Sequence, residues 1–231
     1  MQKNKIQKFF QNKTVFITGG TGSLGNELVK IFLKEFKLKK LIIFSRDELK
    51  QSEMIKKYSD DDKKNILRFF IGDVRDLDRL KFAMKNVDFV IHAAALKHVD
   101  LAEYNPMEYV NTNIIGGKNV LEASYYNKVG KVMALSTDKA ANPINLYGAT
   151  KLVSDKLFIS SNNISGPEKI LRPLVPYNSD CIPIISIPLS DHQVLTLEIR
   201  SEVTEEMSAK YLPGAISIAS IPCLLRILHT L

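Results

Sequence analysis

The chain has 231 residues, of which 45% are hydrophobic and 25% charged, and its net charge is +7. That composition excludes disorder along the whole chain and leaves room for one large domain or two small ones. Two cysteines, Cys181 and Cys223, are too few for a disulfide scaffold and form no metal-ligand pattern, which points to a reducing compartment and away from structural zinc.

The N-terminal stretch MQKNKIQKFFQNK is basic and lacks the apolar centre of a signal peptide. Thr14–Thr18 is a short apolar run entering a glycine turn, which reads as a strand. Leu24, Leu28, Ile31 and Phe32 give Ser23–Phe36 helical spacing. Leu41–Ser45 and Ile66–Ile71 read as further buried strands, Leu77–Lys85 as a helix and Asp88–His92 as a fourth strand. Pro106 opens a helix running to about Asn127, where its locked φ and missing N–H are harmless. Lys131–Ser136 is a fifth strand and Asn145–Asn162 a further helix. Continuous apolar strands separated by helices imply an α/β, doubly wound parallel sheet covered on both faces.

The composition breaks near residue 167. All eleven Phe lie at or before Phe158, and seven of the nine Pro lie at or after Pro167. Residues 1–166 carry 27 Lys+Arg against 18 Asp+Glu, whereas residues 167–231 carry 5 against 7. A basic body suits a nucleotide, a phosphate or a nucleic acid, or is simply a solvated surface. Interleaved aromatics and basic repeats are lacking, so nucleic acid is discounted. Leu212–Leu231 is long and apolar enough to be weighed as a bilayer span, but Pro222, Arg226 and His229 argue against one.

The turn after the first strand holds Gly19, Thr21, Gly22, Ser23, Leu24 and Gly25, with glycines spaced G-x-x-G-x-x-G. Gly19 permits the tight turn, Gly22 lets a pyrophosphate approach, and Gly25 lets the helix pack against the strand. A strand before and a helix after make this a dinucleotide site. The second strand ends in Ser45, Arg46 and Asp47. Serine in the usual acidic slot, followed by a guanidinium, favours NADP over NAD. Arg46 as a surface residue and Asp47 as a helix cap are the plainer alternatives. Asp73 and Val74 follow the third strand, where Asp73 either reaches an adenine amino group or caps a helix. Ala93, Ala94 and Ala95 follow the fourth and form a small-residue floor, or mere tight packing.

Tyr147 and Lys151 stand four apart on one helix face. A lysine cation beside a phenol lowers its pKa, and the pair can then take a proton from a sugar hydroxyl. Beside the glycine-rich turn, this pattern resembles the extended short-chain dehydrogenase/reductase superfamily with its Rossmann-like fold. Leu135–Pro143 reads LSTDKAANP, and the chain continues to Tyr147-Gly-Ala-Thr-Lys151. With SRDELKQ, GDVRD, AALKHV and AEYNPMEYVNTNIIGGKNV, it resembles the inverting UDP-N-acetylglucosamine 4,6-dehydratases over about residues 10–169.

That resemblance implies a cytoplasmic lyase of pseudaminic acid synthesis for flagellin glycosylation, with NADP, UDP-N-acetylglucosamine and a homo-oligomeric state. It implies that Tyr147, with Lys151 and Thr137, removes the C4 hydroxyl proton as hydride passes to NADP. Lys139, kept neutral, would remove the C5 proton, and Asp138, protonated in a dry site, would give a proton to the leaving C6 hydroxyl. An Asp138–Lys139 surface salt bridge is the plain alternative. Lys97 would contact cofactor or substrate, Asn113 would order the active-site helix, and His92 and His98 would be hydrogen-bonding residues. After residue 169 the family pattern stops. The expectation is a dinucleotide-binding domain over 1–166 and an aberrant, frameshifted or truncated tail over 167–231 that replaces the substrate domain and the sixth strand. An inactive NADP-binding remnant, a C4-epimerase or a retaining dehydratase are the alternatives.

Overall fold

The computed structural model describes residues 2–62 and 65–164, together with the short strands 173–174, 186–188 and 194–196. In chain order these are α1 (Gln2–Phe10), β1 (Thr14–Thr18), α2 (Ser23–Glu35), β2 (Lys40–Ser45), α3 (Glu48–Tyr58), β3 (Leu67–Ile71), α4 (Leu77–Ala83) and β4 (Phe89–His92). There follow α5 (Val99–Tyr104), α6 (Pro106–Tyr109), a π-helical turn (Val110–Ile115), α7 (Gly116–Tyr126), β5 (Lys131–Ala134), a 3-10 turn (Asp138–Ala140), α8 (Leu146–Ile164) and β6 (Pro173–Leu174). Strands β7 (Ser186–Pro188) and β8 (Val194–Thr196) pair antiparallel with each other.

The main sheet is parallel in the order β3-β2-β1-β4-β5-β6. Strand order reverses between β1 and β4, so the loops leaving those two strands diverge and open a crevice at their carboxyl ends. The strands lack polar alternation because both faces are covered. Val15, Ile17, Leu41, Ile43, Phe89 and Ile91 face α1, α2 and α3. Phe16, Ile42, Phe44 and Val90 face α4, α7 and α8. Neighbouring side chains thus enter opposite cores, as the twofold repeat of a strand requires.

Helix α1 goes beyond the sequence reading, which noted only the basic character of this stretch. Its Ile6 and Phe10 are 2% and 0% exposed, and Phe10 meets Phe32 and Phe89 edge-on at 5.3 Å each. Burial of each such side chain contributes about 1.5–3 kcal/mol, enough to hold a short helix on the sheet. The helix expected from Pro106 to Asn127 is interrupted by the π-helical turn, which rotates Asn113 inward to 2% exposure. The sheet edge expected to be bare is also different: β6 pairs with β5, Pro173 beside Val132 and Leu174 beside Met133. Only two residues long and beginning with a proline that has no N–H to give, β6 has the form of an edge strand. Apart from β6, β7 and β8, the expected tail, with the apolar stretch Leu212–Leu231, lies outside the described residues. Among the described residues, no helix is long and apolar enough to cross a membrane.

Candidate active site

Gly19 adopts φ +65, and a Cβ there would stand 2.8 Å from the Ala94 backbone. The turn out of β1 is therefore closed to other residues by conformation and by space. A Cβ on Gly25 would lie 2.0 Å from the Gly20 carbonyl oxygen, so α2 packs backbone to backbone on the turn. Gly22 is the N-cap of α2, and no side chain caps that end. Around Gly22, a Cβ would meet only the Gly19 oxygen, at 3.3 Å, which leaves open space before the helix amides.

A cleft of about 290 Å³ opens here, at the carboxyl ends of β1 to β4. Gly19, Thr21 and Gly22 line it after β1, and Ser45, Arg46 and Asp47 at β2. Asp73 and Val74 line it after β3, and Ala94 and Ala95 after β4. Ser23, Leu24, Gly25 and Ala93, also expected at the cofactor, are not among the lining residues. Ser23 is exposed at the start of α2, Leu24 packs toward the core, and Ala93 donates its N–H to the Thr18 hydroxyl at 3.1 Å. Phe44, Lys50, Gly72, Leu96 and Thr112 also line the cleft and escaped the sequence reading. The Thr112 hydroxyl is buried without a hydrogen-bond partner. Lys50 could have been found from its place one turn beyond Asp47; nothing local marks Thr112.

The polar wall is tightly paired. Thr21 and Ser45 share a 2.8 Å hydroxyl contact, so Ser45 ties the glycine turn to β2. Asp47 caps α3 by accepting from the Lys50 amide at 3.0 Å, and that bond holds its carboxyl below the usual range. Capping, the plainer alternative, is thus part of its role. Asp73 caps nothing; the cap of α4 is Asp76. Asp73 is instead gripped by Arg75, with Nη2 at 2.7 Å, and Arg46 stands 3.6 Å away. Burial pushes the Asp73 carboxyl up, but the bonds and charge of Arg75 outweigh it and leave it lowered. Arg75 in turn reaches Glu108 at 2.7 Å.

On the other side of the crevice, the first turns of α8 carry Tyr147 and Lys151, 9% and 6% exposed. Tyr147 packs with Ala102 and Tyr109. The expected lowering of its phenol is not what the structure shows. Burial raises it, the Thr137 hydroxyl works against that, and the charge of Asp138 raises it further. The reason is geometric: the Lys151 ammonium donates to the Leu135 carbonyl at 2.5 Å, and burial pulls that lysine below its ordinary value.

Thr137 caps the 3-10 turn and donates to Asp138 at 2.8 Å. Lys139 Nζ lies 3.6 Å from the same Asp138 oxygen, with the two side chains 49% and 35% exposed. The expected dry surroundings for a protonated Asp138 and a neutral Lys139 are therefore not formed by the described residues, and the pair has the geometry of the salt-bridge alternative. Thr137, Asp138 and Tyr147 are nonetheless brought together.

Lys97 is exposed beyond the cleft lining. Asn113 accepts from the Leu96 N–H at 2.9 Å and donates to the Leu96 carbonyl and to Thr150 Oγ1, both at 3.0 Å. It thereby ties the loop after β4 to α8, as expected of it. His92 is buried, its Nδ1 2.8 Å from the Thr18 hydroxyl and its ring stacked on Phe158. Burial, then the charge of Lys151, lowers its pKa from 6.5 to about 3. His98 acts through its backbone carbonyl, which accepts from the Tyr109 hydroxyl at 2.5 Å.

Comparison with known proteins adds relatives to this geometry. The family model described as "Polysaccharide biosynthesis protein" matches residues 15–177, eight residues past the point where the sequence resemblance was expected to end. An inverting UDP-N-acetylglucosamine 4,6-dehydratase of Campylobacter jejuni serotype O:23/36 is 59% identical over 170 residues, 74% of this chain and 50% of that one. A UDP-glucose 4-epimerase of Rickettsia prowazekii is 44% identical over 189 residues, 80% of this chain and 54% of that one. Among solved structures, Pen from Bacillus thuringiensis superposes with a TM-score of 0.67 at 41% identity, covering 71% of this chain and 49% of that one. The chain spans about half the length of the curated relatives it matches.

Proposed function

Because the chain belongs to the polysaccharide biosynthesis protein family, we propose that it acts on a nucleotide sugar, as an NADP-dependent inverting 4,6-dehydratase of UDP-N-acetylglucosamine. The observation that carries this reading is the meeting of Thr137, Asp138 and Tyr147 at the head of α8, where Leu96 of the cleft lining packs against the cluster that holds Tyr147. The 59% identity to a relative named as that dehydratase gives the substrate class.

A dinucleotide fits the residues that line the cleft. Open space before Gly22 suits a pyrophosphate, and the unpartnered Thr112 hydroxyl is a polar group in need of one. Ser45 in the acidic slot and the 56% exposed Arg46 side chain favour a 2′-phosphate over a bare ribose hydroxyl. When bound, the nicotinamide supplies hydride acceptance and return.

The side chains do the proton work. Tyr147 takes the C4 hydroxyl proton while Thr137 bonds the same oxygen, and the resulting ketone acidifies C5. Lys139 removes the C5 proton, and Asp138 gives one to the departing C6 oxygen, so water leaves. A sugar carbon can sit between these two only if their 3.6 Å pair opens. The raised phenol makes Lys151 the group whose ammonium must turn toward Tyr147 during turnover. We place the chain in the cytoplasm, as a homo-oligomer at the start of pseudaminic acid synthesis for flagellin glycosylation.

Incubation of the purified chain with NADP and UDP-N-acetylglucosamine tests the reading. Loss of water to a 4-keto-6-deoxy product is expected. Absence of that product overturns it. A C4-inverted product that keeps its water would instead support the second reading, a 4-epimerase, which the 44% identical relative favours.

A further inference from the structure

One buried charge has no part in the proton steps above. Asp155 lies on α8 one turn beyond Lys151 and is 2% exposed. One of its oxygens, Oδ2, is bonded by the Ser136 hydroxyl, and the other, Oδ1, is buried without a hydrogen-bond partner. Burial pushes such a half-satisfied carboxyl toward its neutral form, and a compensating charge nearby is what holds it ionised. The groups around Lys151 identify that charge. His92 approaches from β4, fully buried and uncharged near neutral pH. Tyr147 is a phenol, and Leu135 offers only a carbonyl dipole. Lys156 stands exposed on the outer side of Asp155. Among these described groups, Asp155 is the anion one helical turn from the buried ammonium, and Ser136, which bonds it, follows Leu135, whose carbonyl holds Lys151.

We propose that Asp155, steadied by Ser136, is a positioning residue that keeps the buried Lys151 ammonium charged one helical turn from Tyr147. The inference rests on the reading of Tyr147 and Lys151 as the working pair, and gives that pair the counter-charge that its burial demands. A lysine surrounded by a neutral imidazole, a phenol and a carbonyl would shed its proton on burial and could no longer favour a phenolate. Burial pushes Lys151 down and Asp155 up, toward their neutral forms, and each opposes that shift in the other by favouring its charged form.

The test reads the lysine and needs no turnover. The full chain is labelled with 13C at lysine Cε, and the Lys151 resonance is assigned by its loss in Lys151→Arg. Its titration is then followed by NMR in the unaltered chain, in Asp155→Asn and in Ser136→Ala. The Lys151 midpoint should fall by about one pH unit or more in Asp155→Asn, the size of effect expected from an adjacent opposite charge. It should fall less, in the same direction, in Ser136→Ala. That second variant removes one hydroxyl and decides the matter if Asp155→Asn does not fold. An unmoved Lys151 midpoint in a folded variant would overturn the proposal, since it would mean that Asp155 is itself protonated or acts only in packing. Lack of dehydratase turnover in the unaltered chain would count against the reading of the Tyr147–Lys151 pair and would leave the lysine titration as a separate result.

Discussion

Acidification should destabilise this fold through a single imidazole. His92 is 3% exposed in the β4 layer, and burial followed by the Lys151 charge takes its pKa from 6.5 to about 3. The native protein therefore refuses a proton that the unfolded chain accepts once the pH drops below 6.5. The stabilisation is whole above pH 6.5 and is lost progressively as pH falls toward 3. Each pH unit in that window costs about 1.4 kcal/mol, so moving from pH 7 to pH 5 costs about 2 kcal/mol through this side chain alone. The comparison is His92→Asn, whose amide can donate to or accept from the Thr18 hydroxyl that His92 Nδ1 meets. Urea unfolding of both proteins at pH 7 and pH 5 should show the unaltered chain losing about 2 kcal/mol more than the variant. Buried acids such as Asp155 titrate in both proteins and cancel. Equal losses in the two proteins, or an imidazole resonance titrating near its ordinary value in the folded state, would refute the reasoning.

Other substitutions probe the cleft and the site. Gly25→Ala places a Cβ 2.0 Å from the Gly20 carbonyl oxygen, and since backbone cannot move aside cheaply, the expected cost is about 1–3 kcal/mol, read as a lowered Tm. Asn113→Ala strands the N–H and carbonyl of Leu96 and one contact of Thr150; about 1–3 kcal/mol of stability should go, and hydrogen exchange should rise at Leu96. Arg46→Ala should weaken NADP binding by about tenfold or more and leave NAD binding little changed, as measured by calorimetry; equal losses would remove Arg46 from the 2′-phosphate. Lys139→Met should abolish exchange of the C5 hydrogen of UDP-N-acetylglucosamine with deuterated solvent, whereas continued exchange would reject its role as base.

The strands were legible because a covered parallel sheet writes itself as apolar runs: β1 matches its expected bounds, and β2 to β5 differ by one or two residues at an end. Gly19 and Gly25 were equally legible, since one needs a left-handed turn and the other admits no side chain. Helix α1 could have been found from Ile6, Phe9 and Phe10 at helical spacing, but its lysines dominated the reading. The π-helical turn could not, because an inserted backbone residue leaves no mark on periodicity. Asp155 sat in view one turn past Lys151, without any sign that it would be buried.

By itself, then, the sequence determined the order of the strands of the parallel sheet and the glycine turn, since these depend on neighbours along the chain. The tertiary structure alone decided the charge states and pairings. Burial set His92 low and Tyr147 high, and the fold brought Lys151 to the Leu135 carbonyl, Asp73 to Arg75 and Asp138 to Lys139. Such outcomes turn on desolvation and on distances of a few ångströms between side chains, and neither quantity is encoded at a single position.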